Sequence, residues 1–370
     1  SKFQRAEALG EWSLNDSAGL GNHVSRVKAL CFGGTVASIQ GKRRKAMRYF
    51  NQAMSMADEL SDSIQWVQTA FQKWELGLGT TIDADDFKEL DDITEVAQAR
   101  GARDLHEQGL MLRSTGLFIM GRHDESLDAG DKLIKLGVER RHPRAIGMGT
   151  LAKARVNSAR LDVYHSFQEA EVVLKIPELY HEPLIQTQAE VWRLHALWHR
   201  GQLDRCHISL RKVAQSLALG VPLDLMLLPI AAAYFEVAVG MWAKALKHAS
   251  RYQVEFGHAV SLGLRLLQGL ASSRPVARLN ADLAESIHLA HKGQGPKGWK
   301  LLRSVNKRSK SQHRPFEEGL SYVEMSRRAE CQPHLRKVHL TEAQQIFWHL
   351  RAEGWSQELE RSIADLRGAL

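Results

Sequence analysis

The feature that most constrains this fold is a glycine followed at fixed spacing by small or apolar side chains. After Gly41 come Ala46, Phe50 and Ala53; after Gly121 come Ser126, Gly130 and Leu133. Gly201 is followed by Cys206, Leu210 and Val213, and Gly240 by Ala245, Ala249 and Tyr252. Five residues suffice to leave one helix and begin another. The 4, 3 spacing then lays the marked residues on one face of the second helix. Small residues let a neighbouring helix approach, and the larger side chain fills the gap between. The four glycines lie 80, 80 and 39 residues apart, so a period near 40 with unmarked repeats explains all three intervals. Ile64–Leu78 with Asp85–Ala99, and Ala145–Ala159 with Tyr164–Leu174, supply the unmarked pairs. Upstream of each glycine lies a segment of helix length with its own apolar face: Val27–Ile39, Leu105–Met120, Thr187–His199 and Asp224–Val239.

Each unit therefore reads as helix–turn–helix, and one unit cannot bury its apolar face alone. Stacked units can, so the expected fold is all-α, an α-solenoid with a period of about 40 residues. Composition agrees. Helix formers fill long segments, strand-like alternation is hard to find, and most of the 9 prolines fall between segments. Pro229 is the exception, expected early in a helix or at a kink. Charged residues make up 25% of the chain, which excludes disorder throughout. The most apolar run, Leu225 to Gly240, holds Pro229 and Glu236 and reads as too short to span a membrane. Three scattered cysteines, Cys31, Cys206 and Cys331, form neither a disulfide framework nor a metal knuckle, and point to a reducing, cytoplasmic compartment. The chain opens Ser-Lys-Phe without a signal core, and we expect a piece of a longer protein.

Four regions follow from this reading: an irregular or partial repeat over 1–21, an array over 22–292, a turn with a short helix and basic connector over 293–315, and a terminal repeat and cap over 316–370. The segment from Gly41 through Asn51-Gln-Ala-Met-Ser-Met-Ala-Asp-Glu-Leu resembles a tetratricopeptide unit with a small–aromatic–small second helix. The units are longer than usual. That departure resembles the divergent arrays following the catalytic and ATPase modules of soluble class III adenylate cyclases and related signal-transduction ATPases. Phe316 to Arg328, then Arg336-Lys-Val-His-Leu-Thr-Glu-Ala-Gln-Gln-Ile-Phe with Ala343 and Phe347, is similar to the final unit of those arrays. The resemblance implies a right-handed superhelix of about eight or nine hairpins. It also implies a non-catalytic scaffold, for protein–protein interaction or intramolecular regulation, with any cyclase or ATPase activity in upstream domains.

The other motifs carry less. His195 and His199 stand one turn apart on one helix face, but Ala196 replaces the glutamate of a metalloprotease motif and no third ligand is evident nearby, so no metal is expected. Gly293-x-Gly-x-x-Gly298 lacks a preceding strand and reads as a helix–helix turn; no phosphate-binding loop with its lysine occurs, and no cofactor is expected. Asp83 to Asp86 reads as a helix start, and Cys206 as a packing residue. The net charge of +8 is modest for 370 residues. Its densest run is the connector, where Lys307, Arg308, Lys310 and Arg314 are the candidate partner-binding residues, read first as a solvated loop and next as a dock for an acidic protein face. RNA-binding repeats would place base-reading residues at equivalent positions, and none are found. A stand-alone adaptor is the first alternative to a regulatory array, and an RNA-binding repeat the second.

Overall fold

The computed structural model describes residues 23–219, 224–328 and 330–368. The expected partial repeat over 1–21 lies outside them. Among the described residues the fold is all-α, with seventeen α-helices and no strand. In chain order these are α1 (His23–Ile39), α2 (Arg43–Glu59), α3 (Ser63–Gly77), α4 (Ala84–Ala99), α5 (Arg103–Ile119) and α6 (His123–Arg140). Next come α7 (Pro143–Ala159), α8 (Val163–Leu174), α9 (Pro183–His199), α10 (Leu203–Ala218), α11 (Leu227–Lys247) and α12 (Gln253–Ser273). The last five are α13 (Arg278–His291), α14 (Gly295–Ser311), α15 (Pro315–Arg327), α16 (Pro333–His349) and α17 (Glu353–Gly368).

The helices are punctuated by one repeated turn. Gly41, Ser61, Gly101, Gly121, Arg141, Leu161 and Gly201 all take a left-handed backbone, and their numbers differ by multiples of twenty. At each, the next residue's N–H reaches back to a carbonyl inside the finished helix, as in Lys42 to Ala37, Asp62 to Ala57 and Gln202 to Leu197. These bonds satisfy carbonyls that a helix end leaves orphaned. Helix starts are equally local. Asp83 and Asp86 form a reciprocal capping box at α4, as the acidic run predicted. Pro143, Pro183 and Pro315 open α7, α9 and α15, where a missing N–H costs nothing.

Consecutive helices pack as hairpins, and the odd-numbered helices α1 to α15 also pack side by side. The result is an all-α helical array in two layers. Ala46, Phe50 and Ala53 are buried, and Phe50 lies against Gly34, where an added Cβ would come within 2.4 Å of the ring. Cys206 and Leu210 are buried equivalents in α10, Ser126 in α6, and Ala343 and Phe347 in α16.

Three expectations need correction. Gly240 is not a turn glycine. It lies inside α11, which runs on to Lys247, and an added Cβ would sit 2.4 Å from the Trp198 ring of α9. Close helix approach, not chain reversal, requires it. Ala245 therefore belongs to α11, and the reversal falls at Ala249, with φ of 47°. The apolar run is also longer than expected. At 21 residues α11 is, by length and composition, the one described helix able to cross a membrane, but 67% of its most apolar window is buried inside the protein. Pro229 sits in its first turn. Finally, 293–315 is no connector with a short helix. Gly293 makes the expected turn, but α14 continues through Ser311 with Leu302, Val305 and Ser309 buried.

The array closes on itself twice. Trp355 Nε1 of α17 donates to the Ala159 carbonyl, 196 residues away, at 3.1 Å. Arg274 Nη2 meets Glu75 Oε2, 199 residues away, at 3.3 Å. The Leu225 N–H donates to the same carboxylate oxygen at 3.0 Å.

Candidate functional site

Closure brings the inner faces of α5, α7, α9, α11, α13 and α15 around a cavity of about 730 Å³, with α17 completing the wall. Its lining is largely apolar and aromatic, including Phe118, Trp192, Trp198, Phe235, Phe316 and Trp355. Such a cavity lies within the size range of small-ligand sites. Two polar groups in the wall stand out because neither is neutralised in the ordinary way.

The first is a triad. His195 and His199, one turn apart on α9, both face Glu236 of α11. His195 Nε2 lies 3.3 Å from Oε2, and His199 Nε2 lies 3.2 Å from Oε1. The other ring nitrogen of His195, Nδ1, meets Ser158 Oγ of α7 at 2.7 Å. Burial works to raise the Glu236 carboxyl, but the two histidines outweigh it and hold the group well below the usual carboxylate range. Burial pushes the His195 imidazole down. Glu236 thus stays ionised, with each ring N–H donating to a different oxygen. Sequence reasoning found the histidine pair and missed its third member. The available signal was that Glu236 is the lone acid within the most apolar run of the chain.

The second group is Arg155 of α7, 7% exposed. Its Nη1 donates to Thr115 Oγ1 at 2.9 Å and its Nη2 to Ser114 Oγ at 2.8 Å. The guanidinium lies over the Phe118 ring, 5.0 Å from its centroid. Among the described residues no carboxylate pairs with it, and Nε has no partner. Burial alone pulls its pKa down to about 9, so it still carries its charge at neutral pH. Nearby His123, stacked on Phe118, is held neutral: burial first, then repulsion from Arg160 and Arg155, pushes it down to about 3.

The residues expected to bind a partner do not form such a site. Arg314 is wholly buried within the cavity wall. It pairs with Glu317, donates to the Val276 carbonyl at 3.0 Å and to Asn280 Oδ1 at 3.1 Å, and each of its three guanidinium nitrogens has a partner. Arg308 pairs with Asp282 at 2.7 Å. Lys310 lies 3.8 Å from Glu318 and over the Tyr322 ring. The run lacks acids in sequence, but the neighbouring helices α13 and α15 supply them. Only Lys307 of the four is an exposed cation with no such neighbour described. Cys206 is a core residue as expected; burial raises its thiol to about 11, which excludes a thiolate nucleophile at neutral pH.

Compared with known proteins, the chain matches no family model and no curated protein.

Proposed function

We propose that this chain is a non-catalytic regulatory binding array whose cavity receives an acid-bearing segment of protein. The observation that carries the reading is Arg155, a buried cation facing a cavity without a carboxylate partner among the described residues. An unpaired buried charge costs several kcal/mol, and an acidic side chain entering the cavity offsets that cost. The aromatic wall would cover the apolar part of the segment. Occupancy would bias the array's two closing contacts, Trp355 with Ala159 and Arg274 with Glu75, and so pass a binding event along the helices as a population shift.

In the form favoured by the sequence resemblance, the array is the C-terminal part of a larger signalling protein such as a soluble class III adenylate cyclase. The inserted segment then belongs to the parent's own catalytic part. Mapping peptides from the native polypeptide tests this parentage. Nucleotide-binding modules on the same polypeptide are expected. A native polypeptide holding nothing beyond these 370 residues would overturn it and leave a stand-alone adaptor.

A further inference from the structure

The three side chains of the triad converge as the ligands of a metal site do. Donors of a tetrahedral ion bound at about 2.0–2.1 Å lie about 3.3 Å from one another. Each imidazole lies about that far from one carboxylate oxygen of Glu236, His195 Nε2 at 3.3 Å from Oε2 and His199 Nε2 at 3.2 Å from Oε1, the two oxygens being different. These separations are longer than the roughly 2.7–2.9 Å of charge-assisted hydrogen bonds. All three donor atoms fall within 4.8 Å of one another. The frame holding them is stiff. The histidines sit at i and i+4 on α9, and Glu236 projects from the packed core helix α11.

The surroundings agree. Ser158 Oγ can donate to or accept from Nδ1 of His195, so it can orient the ring in either tautomer. Nε2 is thereby free to exchange its proton for a metal, the outer-shell support typical of metal-bound histidine. No Lys or Arg side chain bonds to Glu236 among the described residues. The other cluster of suitable donors, Asp104, Glu107 and His142, differs on this point. There Arg140 Nη1 already occupies Glu107 at 3.3 Å, and Asp104 is exposed.

We propose that His195, His199 and Glu236 bind one divalent transition-metal ion of the zinc class, with a fourth coordination position open to the cavity. Two imidazoles and a carboxylate are borderline ligands suited to such ions rather than to calcium or magnesium. The ion converts the local charge from −1 on Glu236 to a net positive site, on the same cavity that Arg155 faces. This inference rests on the triad alone and stands or falls apart from the acidic-segment reading.

The test uses the whole chain without a histidine tag, stripped with chelator and titrated with zinc chloride by calorimetry and with cobalt chloride by visible absorption. One equivalent of zinc is expected, with a cobalt spectrum of low coordination number that zinc abolishes. His199→Gln and Glu236→Gln should each weaken binding by at least about tenfold, because loss of an outer-shell partner alone costs roughly 10–100-fold. Ser158→Ala should weaken it about tenfold, and Glu107→Gln should leave it unchanged. Circular dichroism checks that each variant is folded. If Glu236→Gln does not fold, His199→Gln, at the end of its helix, decides. A wild-type chain that takes up no stoichiometric zinc, or His199→Gln binding as tightly as wild type, overturns the proposal.

Discussion

Two arginines are buried at this cavity, and the protein treats them in opposite ways. Arg314 is enclosed by Glu317, Asn280 and the Val276 carbonyl, and Asn280 Nδ2 in turn donates to Glu317 at 3.1 Å. Arg155 has hydroxyls and a ring face, but no carboxylate among the described residues. The first is a closed network joining α13 to α15, and its charge is part of the fold. The second keeps its charge at a cost to the fold, and the acidic-segment proposal takes that cost as the mark of a group held for a ligand.

Substitutions separate the two. Arg314→Met strands Glu317 in the interior and should destabilise the chain by about 3–5 kcal/mol, read as a lower denaturation midpoint. Trp355→Ala removes a ring that stacks on Phe347 at 4.9 Å and bonds across the closure to Ala159. It should cost about 3–5 kcal/mol and enlarge the chain's radius in solution scattering. Arg155→Met should do the reverse of Arg314→Met, raising stability by about 1–4 kcal/mol, because Ser114 and Ser126 still bond to each other. A loss similar to that of Arg314→Met would erase the distinction.

The smallest effect concerns the other closure. At Asp224, desolvation and then the Glu75 charge raise the carboxyl to about 7, against the pull of Arg274. An unfolded aspartate titrates near 3.9, so the folded chain holds the extra proton between about 4 and about 7. Stability from this group is present below that window and is lost as pH rises through it. Glu169, raised to about 6 mainly by burial, acts in the same direction. His123, pushed down to about 3, acts oppositely between about 3 and 6.5. The readout is therefore the difference between wild type and Asp224→Asn. In urea unfolding at pH 5 and pH 7.5, the variant should gain relative stability at the higher pH. Parallel behaviour would remove Asp224 from the closure's energetics.

The helices and their period were legible because the signals are local. Gly41, Gly121 and Gly201 mark turns where only a left-handed residue closes the helix end. The turns at Ser61, Arg141, Leu161 and Ala249 were not legible, because satisfied backbone carbonyls offset the cost of that conformation for an ordinary side chain. Gly240 misled because a small residue serves close packing as well as reversal. The site was half legible. His195 and His199 are neighbours in sequence, but Glu236 and Arg155 reach the same wall only through packing between helices some forty residues apart in sequence. The basic run at 307–314 misled for a related reason: its counter-charges lie on α13 and α15.

The most direct test of the acidic-segment reading is photo-crosslinking from inside the cavity. A photoreactive phenylalanine analogue in place of Leu320, which lines it, is introduced into the native polypeptide, and the crosslinked peptides are sequenced. The account predicts one defined protein segment carrying an acidic residue, captured by the wild-type cavity and lost in Arg155→Met. No captured polypeptide, capture of nucleic acid instead, or equal capture with and without Arg155 would contradict it.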